Sequence, residues 1–160
     1  MRIFDTFPFD GELDLLEYRL RETFDLVDHF VLVEAGETYR GGAKGLAFAE
    51  HEQRFGWARS KIRHVRLAAL GSSTAAPRER AAVQRNAARL ALADAAPDDV
   101  VLLLDVDEVP SRSVPGWLRA EGLDRPRWPR PLPAPPRAGR RPGSARAEKR
   151  RRPAPPTSAG

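Results

Sequence analysis

The sequence predicts an α/β layer fold with a mostly parallel sheet, followed by a tail that has no folding pattern. Apolar runs of strand length alternate with helical periodicity over residues 1–110, in the order strand, helix, strand, helix, strand, helix, strand. This alternation is typical of parallel sheets whose faces are covered by helices. The composition changes completely after Leu123, so we predict a folded part at residues 1–123 and a tail at residues 124–160.

The beginning of the chain supplies two strands and the helix between them. "RIFDTFPF" is a β-rich opening, and "HFVLVEA" at residues 29–35 is long enough for a buried strand and too short for a helix. Between these runs, residues 11–24 carry three leucines and a phenylalanine at helical spacing. We assign Asp10 as the N-cap of that helix.

A glycine-rich loop and a third strand follow. The loop "GETYRGGAKG" lacks the strand, glycine and lysine context of a nucleotide-binding P-loop, so we interpret it as flexible, with a candidate substrate contact at Lys44. A short helix is expected near residues 49–59. In the strand "KIRHVRL", we expect Val65 and Leu67 to point inward.

One more helix and one more strand complete the pattern before the acidic residues at positions 105–108. Pro77 opens and Pro97 closes a helix in which Val83, Ala87 and Leu90 share one face. The run "VVLLLD" is fully apolar at its core, which predicts a central strand covered on both faces.

The overall net charge of +5 belongs to the tail. Residues 1–123 contain 16 basic and 20 acidic residues, whereas residues 124–160 contain 11 basic and 2 acidic residues. The folding part is therefore mildly acidic, and we expect no specific nucleic-acid partner. The absence of cysteine excludes disulfides, thiolate metal sites and cysteine nucleophiles. No signal-peptide or transmembrane pattern is visible, so we expect a cytoplasmic protein.

The tail is predicted to be disordered. Ten of the 15 prolines lie between Pro126 and Pro156, and no Val, Ile, Phe or Met follows Leu123. Such a segment cannot bury enough apolar surface to offset the entropy lost on ordering. Its arginines would attract polyanions without specificity, because Trp128 is its only aromatic residue.

Three acids, Asp105, Asp107 and Glu108, follow the apolar run "VVLLL", and Glu34 ends the second strand in an equivalent way. Ligands of open parallel sheets bind at the carboxyl ends of strands, where these acids lie. Two carboxylates one residue apart can share Mg²⁺ or Mn²⁺, which completes its shell with water and substrate phosphates. The alternative is that they are solvated acids or helix caps.

The helix after Pro77 carries Arg78, Arg85 and Arg89 along one stripe, with Asn86 beside it. Such a stripe could hold a diphosphate, and the asparagine could bond a ribose or sugar hydroxyl. An exposed basic helix face without a ligand is the alternative interpretation.

The order of these motifs resembles glycosyltransferase family 17, the β-1,4-mannosyl-glycoprotein β-1,4-N-acetylglucosaminyltransferase family. The matching segments are "FDTFPFDGELDLLEYRL", "FDLVDHFVLVEAGETYRG", "HEQRFGWARSKIRHV", "RERAAVQRNAARLAL" and "DDVVLLLDVDEVP". The resemblance implies a Rossmann-like nucleotide-binding fold of the glycosyltransferase A type. It further implies transfer of N-acetylglucosamine from a UDP donor, with inversion at the sugar carbon and a divalent cation. Because no membrane anchor or signal is visible, we expect a glycan or glycolipid acceptor.

The resemblance also implies roles for particular residues. Asp105 and Asp107 become metal ligands, and Asp105 contacts the donor diphosphate as well. Arg85 and Asn86 become donor contacts, and Glu34 becomes a nucleotide or sugar contact. No residue is assigned as the catalytic base, which an inverting transferase needs to deprotonate its acceptor.

Two other functions fit parts of the sequence. "LLLDVDEV" also resembles the motif of haloacid dehalogenase-type phosphatases, in which Asp105 would attack phosphorus and Asp107 would act as acid and base. That motif normally opens its domain, whereas about 100 residues precede it here. A non-enzymatic module that binds polyanions through its tail is the third candidate, and deletion of residues 124–160 would abolish such binding.

The family pattern continues past the acidic motif with strands and an acceptor-binding half that this sequence lacks. We therefore expect a C-terminally incomplete fold, no measurable sugar transfer by this chain, and a tail that arises from a frameshift in GC-rich DNA. We predict that one of the other two reading frames of the DNA beyond Leu123 continues the α/β pattern. Sequencing that DNA checks the hypothesis, and two frames without such a pattern would contradict it.

Overall fold

The computed structural model describes residues 1–72 and 74–122, and the predicted tail at residues 124–160 lies outside this part. The described chain forms a mixed α/β structure around a four-stranded sheet in the order β3-β2-β1-β4. Every pairing in this sheet is parallel, as the alternating pattern predicts. Its strands are β1 (Ile3–Phe9), β2 (His29–Ala35), β3 (Ile62–Leu67) and β4 (Val100–Leu103).

Within the described residues, four α-helices and two 3₁₀ segments connect or follow the strands. The helices are α1 (Leu13–Thr23), α2 (Ala47–Glu50), α3 (Pro77–Asn86) and α4 (Ser113–Glu121). The 3₁₀ segments Glu52–Lys61 and Ala87–Ala91 follow α2 and α3 directly. None of the helices in the described residues has the length and apolar character needed to cross a membrane.

Alternating side chains of the strands build an apolar core on each face of the sheet. On one face, Phe7 and Phe9 of β1 pack with leucines of α1 and with Phe48 and Phe55. On the other face, Phe4 packs with Val31, Val33, Val65 and the alanines that follow α3. The central strands β1 and β2 are therefore buried on both sides, which is the arrangement that helices on both faces of a parallel sheet produce.

Helix α1 begins two residues later than predicted, and its N-cap is Glu12 rather than Asp10. Gly11 has a φ of +117°, a conformation outside the helical region that glycine adopts easily. The prediction was wrong because this turn intervenes, and the Asp10 carboxylate forms an ion pair with Lys44 instead.

Only part of the face predicted for the helix after Pro77 is buried. Ala87 is buried as predicted, and it lies with Leu90 in the 3₁₀ segment that follows α3. Val83 is 42% exposed and Leu90 is 63% exposed, whereas the polar side chains of Arg80 and Gln84 are buried. Gln84 donates to the backbone carbonyls of Phe9 (3.2 Å) and Val33 (2.7 Å), which lie in β1 and β2. The helix therefore turns a polar face inward, because that face satisfies backbone groups of the sheet.

Strand β4 lies at the edge of the sheet formed by the described residues, so the prediction of a fully covered central strand was wrong. Its residues Val101 and Leu103 are 42% and 55% exposed. An apolar run shows that both faces of a strand can be covered. It does not reveal whether another strand lies beside it. Among the inward residues predicted for β3, Val65 is buried and Leu67 packs against the same core from a partly buried position.

Arg2 fastens the beginning of β1 to the segment that precedes β4. Its guanidinium donates to the carboxylates of Asp99 (3.0 and 2.7 Å) and Asp94 (2.9 Å). The hydrogen bonds from Arg63 and then Arg2 hold the pKa of Asp94 well below its ordinary value, and Arg2 does the same for the pKa of Asp99. A carboxyl with a lowered pKa in the folded state stabilises the fold above its ordinary pKa and loses that contribution as the pH falls.

We predict that Asp99→Asn lowers the melting temperature at pH 7 and reduces its fall between pH 5 and pH 3. The asparagine cannot ionise, so this part of the acid dependence disappears. Thermal unfolding followed by circular dichroism over that pH range checks the prediction. Asp98→Asn is the control, because Asp98 is 70% exposed and pairs with the N-terminal ammonium. Equal acid dependence in Asp99→Asn and the unsubstituted protein would contradict it.

Candidate functional site

The strand order reverses at β1, and this reversal locates the candidate site. From β1 the chain proceeds through β2 to β3 on one side, and it returns with β4 on the other side of β1. In open parallel sheets, the crevice at the carboxyl ends of such a pair of strands is where ligands bind. Asp10 follows the end of β1 and Asp105 follows the end of β4, so both lie at this crevice.

A cleft with a volume of about 540 Å³ occupies this position. Such a volume lies within the range of about 300 to 1,000 Å³ that small-molecule sites have. The polar and aromatic side chains that line it are Asp10, Glu12, Tyr39, Arg85, Asp105 and Asp107.

A buried ion pair beneath the cleft connects β1 to α1. Arg19 of α1 and Asp5 of β1 are both fully buried, and Arg19 donates to the two carboxylate oxygens of Asp5 at 2.9 and 2.7 Å. Burial raises the pKa of Asp5, and the hydrogen bonds from Arg19 oppose this rise. The Arg19 guanidinium also lies over the ring of Phe7, 4.4 Å from its centroid.

The same arginine holds the loop that carries the acids. Its Nη1 donates to three backbone carbonyls of that loop, at Asp105 (2.8 Å), Val106 (3.1 Å) and Glu108 (3.0 Å). Two further hydrogen bonds close the turn, since the amide of Asp105 donates to the carboxylate of Glu108 (2.9 Å) and the amide of Glu108 to the carbonyl of Asp105 (3.0 Å). The backbone of residues 105–108 is therefore set by groups inside the protein.

The three acids of this loop have different surroundings. Val106 inserts into the apolar core between them. Asp105 and Asp107 line the cleft, whereas the carboxylate of Glu108 caps its own turn. Of the three predicted acids, the structure thus brings Asp105 and Asp107 together at the cleft.

Arg85 connects α3 to the acidic loop. Its guanidinium forms an ion pair with the carboxylate of Asp105, and both side chains are almost half exposed. The hydrogen bond with Asp105 raises the pKa of Arg85 above its ordinary value. A positive charge beside two carboxylates can bind an anion that enters the cleft together with a cation.

Asn86 lies outside the lining of this cleft. It lines a neighbouring pocket of about 230 Å³ together with Arg85 and Arg89 of the predicted stripe. Exposed apolar residues of β4, Val101 and Leu103, form another part of that pocket.

Glu34 is buried below the level of the cleft, where both of its carboxylate oxygens have partners. One oxygen accepts from the amide of Phe48 (3.1 Å), and the other lies 3.0 Å from Nε2 of His64. In this position Glu34 connects β2 to α2 and β3, and it does not line the cleft with Asp105 and Asp107.

The sequence reasoning missed Tyr39, Asp10 and Glu12 as cleft residues. Burial raises the pKa of the Tyr39 phenol, the carboxylates of Asp10 and Asp105 raise it further, and Arg85 opposes them. The pKa of Tyr39 is thus influenced by charged groups on both sides of the crevice, Asp10 on one side and Arg85 and Asp105 on the other. The available signal was position, since Asp10 follows β1 directly and Tyr39 follows β2 by four residues.

The donor set can be tested against the divalent cation that the sequence reasoning predicted. No group of three or more His, Cys, Asp or Glu side chains that could hold a metal is present in residues 1–72 and 74–122. The described residues of the site therefore do not provide a complete set of protein ligands for a metal ion. Two carboxylates fit the other common arrangement, in which Mg²⁺ or Mn²⁺ binds one or two carboxylates and takes its remaining ligands from water and phosphates.

Residues 1–122 match the family model described as Glycosyltransferase family 17. This match covers all of the residues that form the fold and the cleft. No curated protein and no solved structure matches the chain.

We predict that Arg19→Lys destabilises the protein by about 3 kcal/mol, because an ammonium cannot bond Asp5 and three carbonyls at once and leaves buried polar groups unsatisfied. Urea unfolding followed by tryptophan fluorescence measures this loss. Arg21→Lys is the matched control, since Arg21 is 60% exposed in its pair with Glu17 and should change stability by less than about 1 kcal/mol. Similar stabilities for the two variants would refute the structural role of Arg19.

Proposed function

The chain belongs to glycosyltransferase family 17, and from this premise we propose that it is the donor-binding part of an N-acetylglucosaminyltransferase that uses a UDP-linked sugar and a divalent cation. A sugar donor and an acceptor are the partners that a glycosyltransferase requires. The donor identity, the cation, a glycan or glycolipid acceptor and the glycosyltransferase A type of the fold are parts of this proposal.

One observation carries the proposal. Asp105, Asp107 and Arg85 line a single cleft at the carboxyl edge of a parallel sheet, at the point where the strand order reverses. A donor nucleotide carries a diphosphate, which needs both a cation and a positively charged side chain for its oxygens. Two acids and one arginine in the same cleft match that need.

In this proposal the protein binds and orients the leaving group. Asp107 has an exposed carboxylate that lines the cleft, and Asp105 lies beside it. A bound cation would neutralise the charge that develops on the diphosphate as the sugar departs. Arg85 would exchange its hydrogen bond with Asp105 for one with a diphosphate oxygen, and its charge would persist because a guanidinium stays protonated at physiological pH.

The rigid loop is what makes such positioning effective. Arg19 fixes the carbonyls of residues 105, 106 and 108, so the two carboxylates need little reordering when a ligand arrives. Preorganised charges stabilise a bound ligand more than mobile charges do, because the entropy loss of ordering them has already occurred during folding.

Asn86 and Glu34 keep the roles predicted from the sequence as further proposals. Asn86 follows Arg85 directly and lines the adjacent pocket, so a ribose or sugar hydroxyl there would be within its reach. Glu34 remains a predicted nucleotide or sugar contact that the cleft does not include. Its bonds with Phe48 and His64 suit it to positioning the loop that contains Tyr39.

The family assignment favours a glycosyltransferase over the haloacid dehalogenase-type phosphatase. The family match covers residues 1–122, which include Asp105 and Asp107. The polyanion-binding module rests on residues 124–160, which lie outside the part that the structure describes.

We predict that the protein binds UDP weakly in the presence of Mn²⁺ and that Asp107→Ala abolishes this binding, because the substitution removes a direct ligand of the cation. Isothermal titration calorimetry with UDP, with Mn²⁺ and with EDTA, measures the effect. Asp98→Ala is the control, since Asp98 is also exposed and lies at the opposite end of β4. UDP binding of equal strength in Asp107→Ala or in EDTA would overturn the proposed role of the acids.

A further inference from the structure

A second concave site lies beside β3, at the edge of the described sheet opposite to β4. It has a volume of about 280 Å³, and its polar lining residues are Glu52, Arg59, Arg63, His64 and Arg66. None of these residues lines the cleft that contains the acids. The volume lies just below the range of about 300 to 1,000 Å³ that small-molecule sites have, so this arginine pocket suits an ion or a small charged group.

Three arginines and a single carboxylate line the arginine pocket. Arg63 uses its guanidinium elsewhere, because it donates to a carbonyl of the 3₁₀ segment after α3 (2.7 Å) and to Asp94 (3.0 Å). Arg59 pairs with Glu52. Arg66 is exposed, and among the described residues its side chain has no hydrogen-bond or ion-pair partner. The positive charge of Arg66 is therefore left uncompensated within the described part of the chain.

The edge of β3 adds backbone donors to the pocket. An amide directly after β2 donates to the carbonyl of Leu67 (2.9 Å), whereas the carbonyl of Ile62 accepts from Nη1 of Arg59 (3.0 Å). Backbone groups of successive strand residues point to opposite sides, so Leu67 faces β2 and Ile62 faces away from it. His64 and Arg66 follow Ile62 at intervals of two, and their amides therefore also point away from β2.

Contacts inside the protein hold the pocket in shape. Nε2 of His64 lies 3.0 Å from a carboxylate oxygen of the fully buried Glu34, and the His64 ring packs edge-on against Phe48 with 4.8 Å between the ring centroids. Arg59 is held through its Nε and Nη1 atoms, and its Nη2 takes part in neither hydrogen bond. These groups need little reordering when a ligand enters, which lowers the entropic cost of binding.

We propose that the arginine pocket binds a phosphate group, either as inorganic phosphate or as part of a small phosphate monoester. Such a group carries about 1.5 to 2 negative charges near pH 7 and has three strong acceptor oxygens. Arg59 and Arg66 supply guanidinium donors, and the edge of β3 supplies backbone amides. Side-chain and backbone donors around one pocket match a tetrahedral group better than a planar carboxylate. The site is independent of the proposed function, because it uses neither the acids of the cleft nor the cation.

The experiment titrates the ¹⁵N-labelled full-length chain with inorganic phosphate in the presence of EDTA, with chloride keeping the ionic strength constant. Amide chemical shifts measured by NMR report where the anion binds. The amides of His64 and Arg66 should shift and saturate on one binding curve, and acetate should bind at least about tenfold more weakly. Glucose 6-phosphate identifies the source of the phosphate group, since tighter binding than that of inorganic phosphate indicates an ester, and equal or weaker binding indicates the free ion.

Two substitutions with opposite expected effects test the charges of the pocket. Arg66→Ala should weaken phosphate binding by about tenfold, which corresponds to one charge-assisted hydrogen bond. Glu52→Gln should strengthen it by about two- to fivefold, because a negative charge leaves the lining. Arg40→Ala is the matched control and should bind phosphate as the unsubstituted protein does, since Arg40 is exposed, has no partner in the described part of the chain and lies outside the pocket. Circular dichroism establishes that each variant is folded.

Several outcomes would overturn the phosphate site. They are equal phosphate affinities of Arg66→Ala and Arg40→Ala, weaker binding by Glu52→Gln, and equal binding of acetate and phosphate. Shifts that occur only outside residues 59–66 would place the anion elsewhere on the chain and would also overturn it. Loss of phosphate binding in Asp107→Ala would assign the anion to the cleft, whereas binding that persists in Asp107→Ala supports the arginine pocket whether or not UDP binding requires Mn²⁺.

Discussion

The buried pair of Arg19 and Asp5 is the interaction on which the candidate site depends. Taking two charges out of water costs several kcal/mol per ion, and the pair recovers this cost only if every donor and acceptor finds a partner. Arg19 meets that condition by bonding Asp5 through two nitrogens and the loop of residues 105–108 through the third. In the described part of the chain, no buried side-chain nitrogen or oxygen lacks a hydrogen-bond partner. The stability of the core and the shape of the acidic loop are therefore coupled through one guanidinium.

Polar groups also organise the other side of the sheet. Gln84 bonds carbonyls of β1 and β2 near the carboxyl ends of these strands, and Arg80 bonds Glu37 in the loop after β2. Together they place α3 so that Arg85 reaches Asp105. The inward polar face of α3 thus positions Arg85 at the cleft. An apolar face would only have buried apolar surface. This arrangement explains why Val83 of α3 remains exposed.

Some residues of the candidate site could be identified from the sequence, and others could not. Asp105 and Asp107 could be identified because an apolar strand followed by acids is a local pattern, and parallel strands place their carboxyl ends at one edge. Arg85 could be identified as one of a stripe, although the stripe does not reveal which arginine meets the acids. Glu34 follows the same local rule as Asp105, yet its side chain points to His64 inside the protein. Asp10 and Tyr39 have only their positions after β1 and β2 as a signal, and that position does not show which loops meet at the crevice.

The sequence by itself determined the order of the elements, the parallel sheet, the strand at residues 29–35 and the acids at the end of β4. Periodicity, strand length and the chemistry of side chains are local properties, so they can be recognised in the amino-acid sequence without the structure. The tertiary structure alone decided that β4 is an edge strand in the described residues, that α3 turns Arg80 and Gln84 inward, and that Arg19 connects β1 to the acidic loop. These features depend on partners far apart along the chain: Arg19 and Glu108 are 89 residues apart, Gln84 and Val33 are 51 apart, and Arg80 and Glu37 are 43 apart. Contacts over such separations form when the chain folds, and no periodic pattern in the sequence encodes them.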